Sequence, residues 1–239
     1  MEPVSAPVLP VPDPPVPPAR QRWRLVLARS ADAQRLAGRE LADLWDAAID
    51  SSGLPVHRPT GRVRARLAFG APIQLGIAAE REPADLFLSE LAPLWQVRDA
   101  LVSVMPEGWR LVDLFDTWMG GPALAGLVVA ADYRIELAGE PDLAELKAVA
   151  AQLLAASQLP RVRAKGDGTV RYDLRPLLAD VSAHPAAGRI ALRIRTRFHP
   201  TLGTGRPEEV VAAIDDRTEA VLEVARIVRE RLILSDGWT

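Results

Sequence analysis

The sequence predicts an α+β protein built from two consecutive β-α-β-β-α-β units. Three observations carry that expectation. The apolar spacing switches repeatedly between a period of two and a period near 3.6, over segments short enough for strands and helices of small domains. The same order of elements occurs twice, on either side of a glycine-containing connector at residues 119–127. The chain has 239 residues, 49% of them apolar, enough for two domains of about 100 residues each. Two such units are two ferredoxin-like folds in tandem, each with two helices on one face of a four-stranded antiparallel sheet.

Residues 1–20 come first and contain Pro3, Pro7, Pro10, Pro12, Pro14, Pro15, Pro17 and Pro18. Proline fixes φ and lacks the amide donor, so this is expected to be a disordered tail. Trp23, Leu25 and Leu27 alternate with Arg22, Arg24 and Val26, which reads as a strand. Asp32 is a helix cap candidate, and Leu36, Leu41, Leu44, Trp45, Ala48 and Ile49 fall on one helical face until Gly53 and Pro55. Strands follow at Val63 to Phe69 and Ala84 to Leu88, then a helix from Leu94 to Val104 and a strand from Trp109 to Phe115. This completes a first unit over 21–118, with a connector at 119–130.

The second unit, 131–239, starts with a strand at Tyr133 to Leu137 and a helix at Leu143 to Ala156. Val170 to Val181 contains a strand, and Arg189 to Phe198 is another. Pro207 to Ile214 is helical, with Pro207 suited to the first helical position. Leu222 to Leu234 closes the pattern as a last strand.

Composition excludes several classes. With no cysteine, disulfides, thiol nucleophiles, cysteine zinc sites and cysteine-held iron–sulfur clusters are out. No run of 18 apolar residues is present, so no membrane helix is expected. Met1 to Pro18 has neither a basic start nor a continuous apolar core, so no secretory signal is expected and the location expected is the cytoplasm. No cofactor is expected.

The net charge of −2 hides a block pattern: residues 20–66 carry +5, 67–160 carry −8, 161–206 carry +7 and 207–239 carry −4. Blocks of this kind point to an anionic partner unless folding brings them together and cancels them. Arginine dominates the basic set, with only Lys147 and Lys165 as lysines, and it recurs at every second position. Arg22 and Arg24 do so, as do Arg62, Arg64 and Arg66, then Arg161, Arg163 and Lys165, and Arg193, Arg195 and Arg197. Alternate residues of a strand share a face. Several strands are therefore expected to send arginine to one side, making a basic surface for a phosphate backbone. Arg58 and Arg206 join that set. The competing reading is a one-sided sheet whose polar residue happens to be arginine. Aromatics, at 5%, leave little for base stacking.

Gly203, Thr204 and Gly205 precede the helix at Pro207, and free amides there are a candidate anion loop. Glu208 and Glu209 in the first turn oppose an anion, and no Gly-Lys-Ser/Thr ending follows. Of the histidines, His57, His184 and His199, no pair has metal spacing, and none sits in a recognised nucleophile motif. The short acidic pairs read as solvated faces or caps.

The first half contains Gly53-Leu54-Pro55, Leu67-Ala68-Phe69-Gly70-Ala71-Pro72, Leu75-Gly76-Ile77 and Pro106-Glu107-Gly108. The second contains Ala131-Asp132-Tyr133, Tyr172-Asp173-Leu174-Arg175-Pro176-Leu177 and Arg206-Pro207-Glu208-Glu209-Val210. Together, over roughly residues 22–235, these segments resemble a bacterial domain family of unknown function linked to radical S-adenosylmethionine (radical SAM) proteins. The resemblance implies a domain fused to, or encoded beside, a radical SAM protein. Two departures stand out. The family's Gly-Phe-Asn-Pro-His-Pro-like segment is replaced by His57-Arg58-Pro59-Thr60-Gly61-Arg62, and its Ser-His-Leu helix start by Gln34-Arg35-Leu36. Any chemistry those residues do in relatives is absent here.

The resulting expectation is a non-catalytic accessory protein that binds RNA through arginine-rich sheet faces and works with a radical SAM protein. The alternatives are a protein–protein interaction module without nucleic-acid binding, and a histidine-dependent, ribonuclease-like enzyme using His57 or His199. The chain is not itself a radical SAM enzyme, since it lacks the three cysteines that hold that cluster.

Overall fold

The computed structural model describes residues 17–30, 32–59, 67–165, 168–186 and 188–237. The tail up to residue 16, and Arg62, Arg64 and Arg66, lie outside the described residues. The first half runs β1 (Gln21–Arg29), α1 (Gly38–Ser51), β2 (Ala68–Phe69), β3 (Ile77–Leu88), α2 (Leu94–Ser103) and β4 (Trp109–Thr117). A short helix α3 (Leu124–Leu127) leads into the second half: β5 (Val128–Leu137), α4 (Leu143–Ala155), β6 (Pro160–Lys165), β7 (Gly168–Asp173), β8 (Leu178–Ala186), β9 (Arg189–His199), β10 (Gly203–Thr204), α5 (Pro207–Asp215) and β11 (Val224–Leu234). Among the described residues no helix is long and apolar enough to cross a membrane.

The protein is a mixed α+β fold with one large, mostly antiparallel sheet. Strand order along the sheet is β10-β9-β5-β11-β3-β1-β4, with β2 added on β3 and β8 on β9. Two separate antiparallel sheets were expected, and this is the main correction. The halves merge because β2 stops at Phe69 and, among the described residues, pairs β3 only at Ala84 and Asp85. That leaves the start of β3 open on one side. Residues Ile227, Val228 and Arg229 of β11 take the place, running parallel to Ile77, Ala78 and Ala79.

β3 is longer than the alternation predicted because Glu80, Arg81, Glu82 and Pro83 interrupt its apolar pattern. Pro83 is tolerated for a geometric reason. Its carbonyl accepts from the Gly70 amide at 3.0 Å. A residue's N–H and C=O point to the same side of a strand, so the missing donor falls in the gap between the β11 and β2 segments. Other differences are local. Asp32 opens a 3-10 turn (Asp32–Arg35) and is not the cap of α1, whose cap position is Ala37. β5 starts five residues before Tyr133. The Val170 to Val181 segment is the end of one strand, a 3-10 turn (Arg175–Leu177) and the start of another.

Each half has its own apolar core. In the first, Trp23, Leu25 and Leu27 of β1 pack with Leu41, Trp45 and Ile49 of α1 and with Val97 and Leu101 of α2. Trp45 meets Trp109 edge to face, with ring centroids 5.1 Å apart. In the second, Tyr133, Ile135 and Leu137 of β5 pack with Leu146, Val149 and Leu153 of α4 and with Val210 and Ile214 of α5. Asp142 caps α4 by accepting the Ala144 amide at 2.8 Å.

Candidate functional site: the polar face of the sheet

On the second half of the sheet, strand alternation turns Leu192 and Ile194 inward and leaves Arg193, Arg195 and Arg197 on the polar side. The register then decides what those arginines meet. Asp180, Arg195, Asp132 and Arg231 lie opposite one another across β8, β9, β5 and β11, a row of alternating charge. Arg195 holds Asp132 with two hydrogen bonds, Nε to Oδ1 at 2.6 Å and Nη2 to Oδ2 at 2.9 Å. Arg231 adds Nε to Oδ2 at 2.9 Å. Burial alone would raise the Asp132 carboxyl, but the hydrogen bonds and charges of the two arginines outweigh it and hold it below the usual carboxylate range. The hydrogen bond to Asp132 raises Arg195 in return.

The neighbouring row is different. Ser182, Arg193 and Arg134 face one another across β8, β9 and β5. Two like charges lie opposite, and Arg134 turns away, donating to Glu230 at 2.6 Å and to Glu80 at 2.7 Å. Those contacts, Glu80 foremost, raise its pKa. Arg193 is exposed and, among the described residues, has no carboxylate partner. Ser182 Oγ and His184 Nε2 are 2.9 Å apart on the same strand. Ser182, His184 and Arg193, with Glu80, Asp132 and Arg231, line an open cavity of about 510 Å³ over β3, β5, β8, β9 and β11.

The other expected arginines are dispersed. Arg22 and Arg24 are buried, not displayed: Arg22 Nε and Arg24 Nε both donate to Asp85, at 3.0 and 2.9 Å. Arg22 also donates to the carbonyls of Gly121 and Pro122, so the connector seals this pair from above. At 2% and 6% exposure, the two guanidinium groups present no open surface to a phosphate. Arg58 pairs with Asp50 at 2.5 Å. Arg197 donates to the carbonyls of Pro176 and Leu178, at 3.1 and 3.0 Å.

β6 and β7 form a two-stranded ribbon outside the main sheet. Its root is fixed to α5 by Arg161, which pairs with Asp216 and lies 3.5 Å from Glu209. Arg163 lies over the Tyr172 ring, 5.0 Å from its centroid. Burial, followed by the charge and hydrogen bond of Glu209, pushes the Tyr172 hydroxyl up to about 12. Arg206 occupies the cap position of α5.

The glycine loop has a packing explanation. Gly203 adopts φ +87 in the turn where β10 folds back on β9. A Cβ at Gly205 would lie 2.6 Å from the Leu177 carbonyl oxygen and 2.9 Å from Thr196 Cβ. Both glycines are therefore required by the backbone. His199 Nδ1 accepts the amides of Thr201 and Leu202, at 3.2 and 3.1 Å, and His57 Nδ1 lies 3.0 Å from the Pro17 carbonyl. Among the described residues no group of three or more His, Asp or Glu side chains is arranged to hold a metal ion.

Sequence reasoning missed Ser182, Asp132 and Arg134. Asp180, Ser182 and His184 recur at every second position, which could have marked one strand face; Asp132 lies 63 residues from Arg195 and 99 from Arg231 in the chain and left no local signal.

A family model described as "Uncharacterized protein conserved in bacteria (DUF2344)" matches residues 22–210. No curated protein matches the chain. Among solved structures, the "Crystal Structure of a Cbf5-Nop10-Gar1 Complex" contains a similar chain, at 8% identity and a TM-score of 0.47. The alignment covers 87% of this chain and 48% of that one, so this chain spans about half the length of its match.

Proposed function

The chain belongs to that uncharacterised bacterial family, and from this premise we propose that it is a non-catalytic accessory protein that works with a radical SAM protein and binds RNA. The radical SAM link rests on the sequence resemblance. We read the halves as two ferredoxin-like units. Support comes from the strand orders β4-β1-β3-β2 and β11-β5-β9-β8, each the same order of first, second, third and fourth strands.

The RNA reading is carried by the β6–β7 ribbon. It projects Arg163, whose neighbour is the Tyr172 ring rather than a carboxylate. Among the described residues, Arg163, Arg171 and Arg206 have no acidic partner. An arginine stacked on tyrosine offers a cationic, planar surface to a base and its phosphate. The sheet-face arginines Arg22 and Arg24 are buried against Asp85, and Arg195 is bound to Asp132 away from the ribbon, so they are left out of this site. The test is RNA binding across a salt series. The Arg163→Glu, Arg206→Glu variant is expected to lose most of the affinity and to flatten the salt slope by roughly 0.7 per lost contact on single strands. Unchanged binding in that variant, or none by the native protein at low salt, would refute the reading.

A second reading, a protein-interaction module without nucleic-acid binding, is favoured by one observation. Leu91, Trp95 and Trp118 are 76%, 65% and 77% exposed. Gln21 joins their segments by donating to Asp116 and accepting the Ala92 amide, both at 2.9 Å. Exposed aromatic groups of this kind mark contact surfaces. Loss of a complex with the radical SAM protein in Trp118→Ser, with RNA binding absent throughout, is the result expected on that reading.

A further inference from the structure

We propose that the cavity on the polar face of the second half is a binding site for a phosphate monoester. It is separate from the ribbon and does not depend on the RNA reading. The donors converge from three strands. Arg193 is exposed and unopposed among the described residues, with Ser182 directly across from it on β8. Ser182 and His184, in mutual contact at 2.9 Å, supply a hydroxyl and an imidazole at the same wall. Arg195 and Arg231 are held in place by Asp132 and use only part of their donor sets on it. A planar guanidinium with five N–H groups, fixed by a carboxylate on one side, presents its remaining N–H groups with little loss of freedom on binding.

The acids in the cavity define how far negative charge extends. Glu80 and Glu230 are held by Arg134, Asp132 by its two arginines, and Asp180 lies opposite Arg195. The Arg193 side is thus net positive, while on the other side Glu80 and Glu230 cancel Arg81 and Arg134. One terminal phosphate fits the first side, with its oxygens shared among Arg193, Ser182 and the free N–H groups of Arg195. A second phosphate would be driven toward the carboxylates. The part of the ligand seated inside the cavity must therefore be neutral or cationic, and about 510 Å³ leaves space for a sugar-sized group there, with any further phosphates outside it. Two sources supply this chemistry: a free sugar phosphate and the 5′-phosphate end of an RNA.

Calorimetric titration distinguishes them. The probes are ribose 5-phosphate, and two RNA oligonucleotides of one sequence bearing either a 5′-phosphate or a 5′-hydroxyl. Binding of ribose 5-phosphate that weakens at least tenfold in Arg193→Ala, and severalfold in Ser182→Ala, identifies the free sugar phosphate. A preference for the 5′-phosphorylated oligonucleotide that disappears in Arg193→Ala identifies the RNA end. The comparison of phosphate with hydroxyl cancels any contribution of the ribbon, so failure here is distinct from failure of the RNA reading. Arg193 is exposed, so its removal should leave the melting temperature unchanged. No ribose 5-phosphate binding together with equal binding of both oligonucleotides, or binding indifferent to Arg193→Ala, would overturn the proposal.

Discussion

Arg229 of β11 and Glu82 of β3 form a two-pronged ion pair at the seam where the halves join. Arg229 Nη2 donates to Oε2 at 2.7 Å, and a second bond runs from Nε to Oε1. Both side chains are fully withdrawn from solvent. Arg229 also donates to the Pro72 carbonyl at 3.1 Å and lies against Tyr133. Burial disfavours its charge, but Glu82 and Tyr133 together more than compensate and drive its pKa upward. Arg29 is buried nearby and donates to the carbonyls of Ala33, Leu36 and Gln74. Its pKa is lowered, first by burial.

Breaking this pair from one side should be costly. Glu82→Gln or Arg229→Met leaves a buried charge without its counterion, a loss of about 3–5 kcal/mol. For a chain of this size the melting temperature should fall by roughly 10 °C. Replacing both residues with apolar side chains of similar volume should recover much of the loss. Thermal melts of the three variants check this, and a single variant that melts like the native protein would show the pair to be incidental.

The tyrosines give a spectroscopic test. The protein has two, Tyr133 and Tyr172, and both are shifted upward, the first by burial and the second to about 12. Absorbance at the phenolate band should stay flat through pH 10, the ordinary value of about 10 notwithstanding. A group raised in this way contributes stability that is full below its unfolded pKa and is lost as pH rises through the folded value. Titration of Tyr133 near pH 10 would contradict its burial, and titration of Tyr172 there would contradict the Glu209 contact.

Acid should act through Asp132. Its carboxyl is depressed in the folded state, so its contribution is present above the unfolded value of about 4 and is lost as pH falls through the folded one. Asp132→Asn should be less stable than the native protein at pH 7, and the gap should narrow steadily below pH 4. A gap independent of pH would assign the effect to packing rather than charge.

Gly205→Ala tests the packing account of the loop before α5. The added methyl meets the Leu177 carbonyl and Thr196, and overpacking of this kind costs about 1–3 kcal/mol. Urea unfolding should show that loss. Affinity for RNA should hardly change under conditions where the variant is folded. A selective loss of RNA binding with stability intact would restore the anion-loop interpretation.

Much of the fold was legible locally. Trp23, Leu25 and Leu27 announce β1 by alternation, and Leu41, Trp45 and Ile49 announce α1 by helical spacing, because both periods follow from backbone geometry. The site was legible only in part. Alternation correctly set Arg193 and Arg195 on one face, but the charge state of that face depends on Asp132, 61 or more residues earlier, and on Arg231 in the last strand. Register between distant strands is a tertiary property. The same holds for Arg22 and Arg24, whose period-two spacing is that of a surface strand but whose partner, Asp85, lies on a different strand.

The position of β11 has a consequence for synthesis. This strand lies between β5 and β3, so both of those strands keep an open edge until it docks. A nascent chain that has reached α5 already contains nearly all of both cores, yet carries two unpaired edges of the kind that recruit other chains. Docking of β11 closes both at once. The chain is therefore most prone to aggregate between the emergence of α5 and the docking of β11, and cutting it at the connector would leave the first piece with that edge permanently exposed.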